Sequence, residues 1–331
     1  LNNTCNTKES VKKALNNELL TIKEIISLLE TNLNSDDFYC ILYQANSLSR
    51  TTFKNKGENH LHIGLNASPC PYDCKFCSLT KEHQIFTKEH DFSWEEIMLW
   101  AKDAESKNAD ALNLMTTGTY SFERLCDIGK KLKKEVNIPL VANTRDLTHS
   151  DAEKLIECGF SGMYHAIRLG EGRVTPFSVE KRINTIKVLN DTGLKWMNCI
   201  EPIGPEHSYK EIAELMLIAR KFNATYSGAM RRINFKGSPF EKYGMISELE
   251  MAKFVAVSRL VMGYVPAAHC THEPNTLSLI AGANLVFPEV GSSPRDLEAD
   301  SSKGRGNDII SCQKMFFETG WEWEKQSNCF N

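Results

Sequence analysis

The 331-residue sequence has no apolar run near the roughly 20 residues that a membrane-spanning helix needs, so it gives no support to a role within a bilayer. Its first 20 residues are polar and rich in lysine and asparagine, with no apolar core ahead of a small-residue cleavage site. No secretory signal is read there, and the expected compartment is cytoplasmic. Charge of one sign is also scarce. The formal net charge of -3 gives no footprint for nucleic acid, whose binding relies on Lys and Arg to displace counterions from phosphates. Sequence repeats and low-complexity tracts are absent as well. What remains is 41% hydrophobic and 24% charged, an ordinary globular composition in which small-molecule chemistry is the favoured class.

Cysteine, by contrast, is plentiful. In a reducing compartment the eleven cysteines are read as buried small hydrophobes, metal ligands or catalytic thiols rather than as a disulfide framework. Cys126 and Cys158 fall within helix-period stretches and are expected to be buried.

The apolar residues Val11, Leu15, Leu19, Ile22, Ile25, Ile26 and Leu29 recur at three and four, which predicts a helix over 11–29. A second helix is predicted over 38–53. Residues 1–56 therefore read as a helical lead-in, ending at Gly57. Beyond it, short apolar segments alternate with longer helix-period stretches, as in repeated β-α units. Eight strands are predicted, over 60–65, 111–115, 139–143, 162–167, 195–200, 224–230, 263–269 and 284–288. Helices are predicted over 93–104, 122–134, 178–189, 209–222 and 247–261. The count fits a TIM-type (β/α)8 barrel over 57–331 with a C-terminal cap, a fold in which one core reaches this size.

Straight after the first predicted strand comes NASPCPYDCKFCSLT, with Cys70, Cys74 and Cys77 spaced CxxxCxxC. Pro69, Pro71 and Asp73 discourage regular structure, so the loop is free to wrap an ion cluster. Cysteine thiolates are the usual ligands of iron-sulfur clusters, and three of them leave one iron of a 4Fe-4S cube without a protein ligand. A structural zinc site is the competing reading, but it is normally closed by four ligands and the nearest further candidate is His83, beyond a predicted turn. Three unremarkable cysteines are the plainest alternative.

With Phe76 just before the last cysteine and the loop placed after strand one, the sequence resembles the radical S-adenosylmethionine superfamily. Within it the resemblance is to the biotin synthase-like branch, with the hydrogenase maturases and methylornithine synthase. INFKGSPF near 233–240 and LIAGAN at 279–284 look like matching segments at similar distances. The resemblance implies a 4Fe-4S cluster on Cys70, Cys74 and Cys77, and S-adenosyl-L-methionine chelated to the open iron. It implies contacts to that molecule from Phe76, from Thr116, Thr117 and Gly118 after strand two, from Glu171 to the ribose, from Arg182 to the carboxylate, and from Ile203 beside the adenine. His165, Arg168, Arg231 and Arg232, at the ends of strands four and six, are candidates for the substrate. A salt bridge at the surface is the alternative for Arg168, and a solvated helix position for Arg182.

The departures bear on the substrate. Common biotin synthases hold a sulfur-donating 2Fe-2S cluster on three barrel cysteines and an arginine; by alignment those places fall near Met115, Val141, Met197 and Pro266, none a suitable ligand. Asparagines that hold the dethiobiotin ureido group are replaced by Ala166 and Ala229 at or near their places. Alternation along strands five and seven nevertheless turns Cys199 and Cys270 inward, where they could hold a different auxiliary iron-sulfur cluster, completed by His269, His272, Cys312 or Cys329. Burial as small hydrophobes is the alternative.

The resemblance implies a radical enzyme that reductively cleaves S-adenosylmethionine and abstracts a substrate hydrogen in cofactor biosynthesis. Sulfur insertion of the biotin or lipoyl type is one outcome, a sulfur-free rearrangement or carbon-carbon bond step another, and a non-catalytic iron-sulfur scaffold a third. The expected partners are a small-molecule substrate or a carrier-bound acyl group, and an electron donor such as flavodoxin or ferredoxin.

Overall fold

The structure, a computed structural model, describes residues 9–323; Cys329, a candidate ligand from the sequence, lies outside the described residues. Three helices come first: α1 (Glu9–Leu15), α2 (Ile22–Leu29) and α3 (Asp36–Thr52). The single helix predicted over 11–29 is two. Asn17 takes a left-handed φ of 61°, and Thr21 starts α2 afresh in a reciprocal capping box with Glu24. A local cap thus overrides an unbroken apolar period.

The barrel staves are β1 (Lys56–Gly64), β2 (Ala111–Met115), β3 (Leu140–Asn143), β4 (Phe160–Tyr164), β5 (Lys195–Met197) with its continuation β6 (Ile200–Ile203), β7 (Tyr226–Arg231), β8 (Ala268–Thr271), and β9 (Leu285–Val286) with β10 (Glu289–Gly291). All named strand pairings are parallel, and β1 closes the cylinder by pairing with β2 on one side and with β9 and β10 on the other. The eighth stave is completed far along the chain: β11 (Glu322–Trp323) extends the sheet beside the start of β1.

Helices α4 (Trp94–Ser106), α5 (Phe122–Glu135), α6 (His149–Glu157), α7 (Val179–Thr192), α8 (Tyr209–Lys221) and α9 (Glu248–Met262) cover the staves, followed by α10 (Thr276–Ile280) and α11 (Ile309–Glu318). Each of α4 to α9 begins at a Ser or Thr whose hydroxyl accepts from the amide three residues on: Ser93, Ser121, Thr148, Ser178, Ser208 and Ser247. Such caps contribute about 1 kcal/mol each and fix where every strand-to-helix loop must stop. Helix α6 ends at its C-cap Cys158, within the helix-period stretch read from the sequence. The seventh stave is predicted from Gly263, but α9 runs to Met262 and the strand starts only at Ala268.

Period-two alternation sorts strand residues into two apolar layers. Leu112, Leu114, Leu140, Ala142, Met163 and Trp196 face the helices, whereas Ala111, Val141, Tyr164, Met197, Tyr226, Ala268 and Leu285 fill the interior. The open end is left to the loops that follow the strands. No helix among the described residues is long and apolar enough to cross a membrane.

Candidate functional site

The loop after β1 is tied to itself and to the last stave. Cys70 exchanges backbone hydrogen bonds with its far arm (Cys70 N to Leu79 O, 2.8 Å; Lys81 N to Cys70 O, 2.9 Å), and Ser78 N donates to Pro294 O at 2.9 Å. Held this way, Cys70, Cys74 and Cys77 line one cavity of about 200 Å³ at the C-terminal ends of the strands. No histidine and no fourth cysteine lines that cavity among the described residues, so a closed four-ligand zinc site is not formed there.

Burial pushes the Cys74 thiol up to about 12, and Cys77 goes higher for the same reason, each reinforced by neighbouring cysteines. Such thiols stay neutral unless a metal centre stabilises their thiolates. Gly118 brings its backbone against the set, with its N–H 3.4 Å from Cys70 Sγ, where it can donate to the sulfur. A Cβ at Gly118 would stand 2.4 Å from the Tyr72 ring and 3.2 Å from that sulfur, so only glycine permits the approach. Three convergent soft ligands with an amide aimed at one of them are the donor set that an iron-sulfur cluster requires.

Opposite the thiols the wall is cationic. Arg145, Arg168, Arg182, Arg232 and Arg295 line the cavity, and Glu201 is the carboxylate among them. Each guanidinium is already oriented by a carboxylate: Arg145 by Asp151 (2.8 Å), Arg168 by Glu201 (2.5 Å), Arg182 by Asp146 (3.2 Å) and Glu171 (3.3 Å), Arg232 by Glu206, and Arg295 by Glu289. Arg182 also lies over Phe177, 4.1 Å from the ring centroid. Burial works against the Arg168 charge, but Glu201 and Tyr164 outweigh it and hold the guanidinium firmly protonated. Burial likewise opposes ionisation of Glu201, yet Arg168 and His272 keep its carboxyl below the usual range.

Ten of the residues singled out from the sequence thus meet at the cavity: Cys70, Cys74, Phe76, Cys77, Thr116, Thr117, Gly118, Arg168, Arg182 and Arg232. Six do not line it. Glu171 has its side chain fully buried; it accepts from Arg168 N (2.9 Å) and from the Thr175 hydroxyl and pairs with Arg182, so it braces the wall. Ile203 belongs to the layer beneath the helices, because β6 turns it outward. His165 is buried with Nε2 3.3 Å from Arg182 O, and burial lowers its pKa to about 3. Arg231 is held by both oxygens of Glu273 (2.6 and 2.8 Å), leaving the inward place to Arg232. Cys199 and Cys270 lie deeper, in the barrel interior.

Sequence reasoning passed over Tyr72, Arg145, Thr175, Phe177 and Arg295. Arg145 and Arg295 each follow a strand within a few residues, and the rule that strand C-termini carry function was the available signal.

No family model matches the chain. A biotin synthase of Clostridioides difficile is 25% identical over 323 residues, covering 94% of this chain and 97% of that protein. A biotin synthase of Ehrlichia canis is 26% identical over 288 residues, covering 80% and 86%. Among solved structures, methylornithine synthase superposes with a TM-score of 0.79 at 18% identity, covering 96% of this chain and 97% of that one. The hydrogenase maturase HydG of Carboxydothermus hydrogenoformans gives 0.78 at 15%, covering 97% and 79%. The long alignment to biotin synthases, the eight-stave parallel barrel with helices ahead of it and the cysteine loop at its open end agree: the resemblance to the radical S-adenosylmethionine superfamily extends to distant homology with biotin synthase.

Proposed function

We propose that Cys70, Cys74 and Cys77 hold a 4Fe-4S cluster, that the adjoining cavity binds S-adenosylmethionine, and that the enzyme abstracts hydrogen from a small anionic substrate. The observation that carries this reading is the convergence of three thiols and five arginines on one cavity, without a fourth thiol or imidazole among the described residues. Cys70, Cys74 and Cys77 would hold the cluster, whose chemistry there would be the one-electron reductive cleavage of S-adenosylmethionine.

The chain's own residues bind and orient. Arg182 is fixed by Asp146, Glu171 and Phe177 and is suited to take a carboxylate with its remaining N–H groups. Thr116 and Thr117 offer hydroxyls beside the cysteines for an amino group. Arg232 and Arg295 remain for a carboxylate or phosphate of the substrate. The barrel wall excludes water from a reactive radical.

Sulfur insertion is supported by the similarity to biotin synthases. A sulfur-free rearrangement or carbon-carbon bond step has its own support: Val141 and Met197 occupy the interior and Met115 lines the cavity, so the places near which relatives hold a sulfur-donating cluster carry side chains unsuited to it. On that ground the sulfur-free step is the reading favoured here.

Anaerobic reconstitution tests the assignment of the loop. The parent should take up at least about four irons on forming its cube, with absorbance near about 400 nm. Single Ala variants of Cys70, Cys74 and Cys77 should lose that absorbance while staying folded. Retention of the absorbance in any one of them contradicts the assignment.

A further inference from the structure

Beneath the cavity, β8 carries Cys270 into the barrel interior and Cys199 reaches the same interior from the junction of β5 and β6. His272 follows two residues after Cys270. One ligand atom from each of Cys199, Cys270 and His272 lies within 4.8 Å of the other two, and this is the one group of three or more such ligands that close among the described residues. The two cysteines are essentially inaccessible, at 0% and 1% exposure. The Cys270 thiol has a weak acceptor in Asn198 O, 3.8 Å away.

The imidazole of His272 is held between rings, 4.0 Å from Phe287 and 4.9 Å from Tyr164 by centroid. Its Nδ1 is 3.9 Å from Glu201 Oε2, and its Nε2 is buried with no hydrogen-bond partner. A buried ring nitrogen left without a partner in a native interior calls for an explanation.

We infer that Cys199, Cys270 and His272 bind a single thiophilic divalent cation, Zn²⁺ or Fe²⁺, in the barrel interior beneath the cavity, with a fourth coordination position left open. Metal-to-sulfur bonds of about 2.3 Å and metal-to-nitrogen bonds of about 2.0 Å put the edges of a tetrahedron at roughly 3.5 to 3.8 Å, within the compass these three atoms already share. Cysteines ligating different irons of a cluster stand further apart, because an iron-iron separation is added. The three loop cysteines are not gathered within 4.8 Å in this way. The compactness of the interior set therefore favours one ion over the auxiliary cluster expected from the sequence.

Charge supports the same reading. Binding releases two protons, one from each thiol, and a divalent ion with two thiolates and a neutral imidazole carries no net charge. Such a centre can sit in an apolar interior where an isolated ion could not. Glu201 stands beside His272 as carboxylates stand beside metal-bound histidines, and the same carboxylate lines the cavity above. The open position is thus placed to take water or a sulfur or carboxylate group of a small substrate. The inference uses none of the loop cysteines and stands whether or not the loop assignment holds.

The test uses full-length protein with Cys70, Cys74 and Cys77 replaced by Ala, titrated anaerobically with Co²⁺. One Co²⁺ per chain should bind, with sulfur-to-cobalt charge-transfer absorption that Zn²⁺ abolishes by displacement. His272→Ala in that background should weaken Co²⁺ binding by at least about tenfold, and Cys199→Ala with Cys270→Ala should remove it, with circular dichroism reporting the fold of each. Because interior variants can fail to fold, elemental analysis of the parent decides independently: it should carry one zinc, or one iron beyond those removed with the loop cysteines, and the metal found tells which ion. Absence of the charge-transfer band, a parent without the extra ion, unchanged binding after loss of both interior thiols, or a disulfide joining Cys199 to Cys270 would each overturn the inference.

Discussion

Arg182 is pinned from three sides. Two carboxylates and a ring hold it at the cavity wall, so its guanidinium is pre-set without touching the cysteines. Arg182→Ala should leave iron content intact and weaken S-adenosylmethionine binding by roughly tenfold to a hundredfold, the value of a charge-assisted hydrogen bond of about 1.5 to 3 kcal/mol. Calorimetry on reconstituted enzyme measures this, and an unchanged affinity returns Arg182 to a structural salt bridge. Gly118→Ala acts by shape. The new methyl must displace the Tyr72 ring, which itself packs on Phe177 at 4.8 Å. S-adenosylmethionine affinity should fall, with a smaller loss of cluster, read from iron content and calorimetry on one preparation.

At the scale of elements, β1 carries the clearest pH dependence. Its inward face presents Glu58 and His60 to the interior, Glu58 Oε2 lying 3.0 Å from His60 Nε2. Burial raises the Glu58 carboxyl to about 8 and lowers His60 to about 4. A carboxyl raised in the folded state favours folding below its unfolded value near about 4.5. That contribution is lost as pH rises to about 8, at no more than about 1.4 kcal/mol per pH unit. His60 acts in the opposite window, costing stability as pH falls from about 6.5 through about 4. The difference between parent and Glu58→Gln isolates the first effect. Denaturant midpoints of Glu58→Gln relative to the parent should climb between pH 5 and 8; a flat difference contradicts a neutral Glu58.

Elements also show what the sequence could and could not carry. The cysteine loop was legible because its ligands are neighbours in the chain, and β2 because a short apolar run ends in a polar loop. The break between α1 and α2 was hidden by an apolar period continuing across Thr21. For Ile203 and Glu171 the sequence leaves the direction open: which way the side chain turns depends on how β5 gives way to β6 and on Arg182 arriving from α7. His272 is similar. It was one of four residues named to complete the interior set, and among the three that are described only the closed barrel brings His272 to the two thiols.

For the whole molecule, closure is what turns scattered residues into a site. The N-terminal helices brace the barrel through Arg259 of α9, which donates to the Ser49 (2.7 Å) and Thr52 (3.0 Å) hydroxyls of α3. The last stave returns to β1 so closely that a Cβ on Gly64 would stand 2.0 Å from Ser292 O. This seam brings Pro294 and Arg295 to the cysteine loop. Loop and arginine wall therefore share one cavity, with the interior thiols beneath it.

The central claim is tested by mixing anaerobically reconstituted protein with dithionite and S-adenosylmethionine and quantifying 5′-deoxyadenosine. The account predicts its formation in the parent and its absence with Cys77→Ala. Folded parent protein with a filled cluster that forms no more 5′-deoxyadenosine than that variant would contradict it.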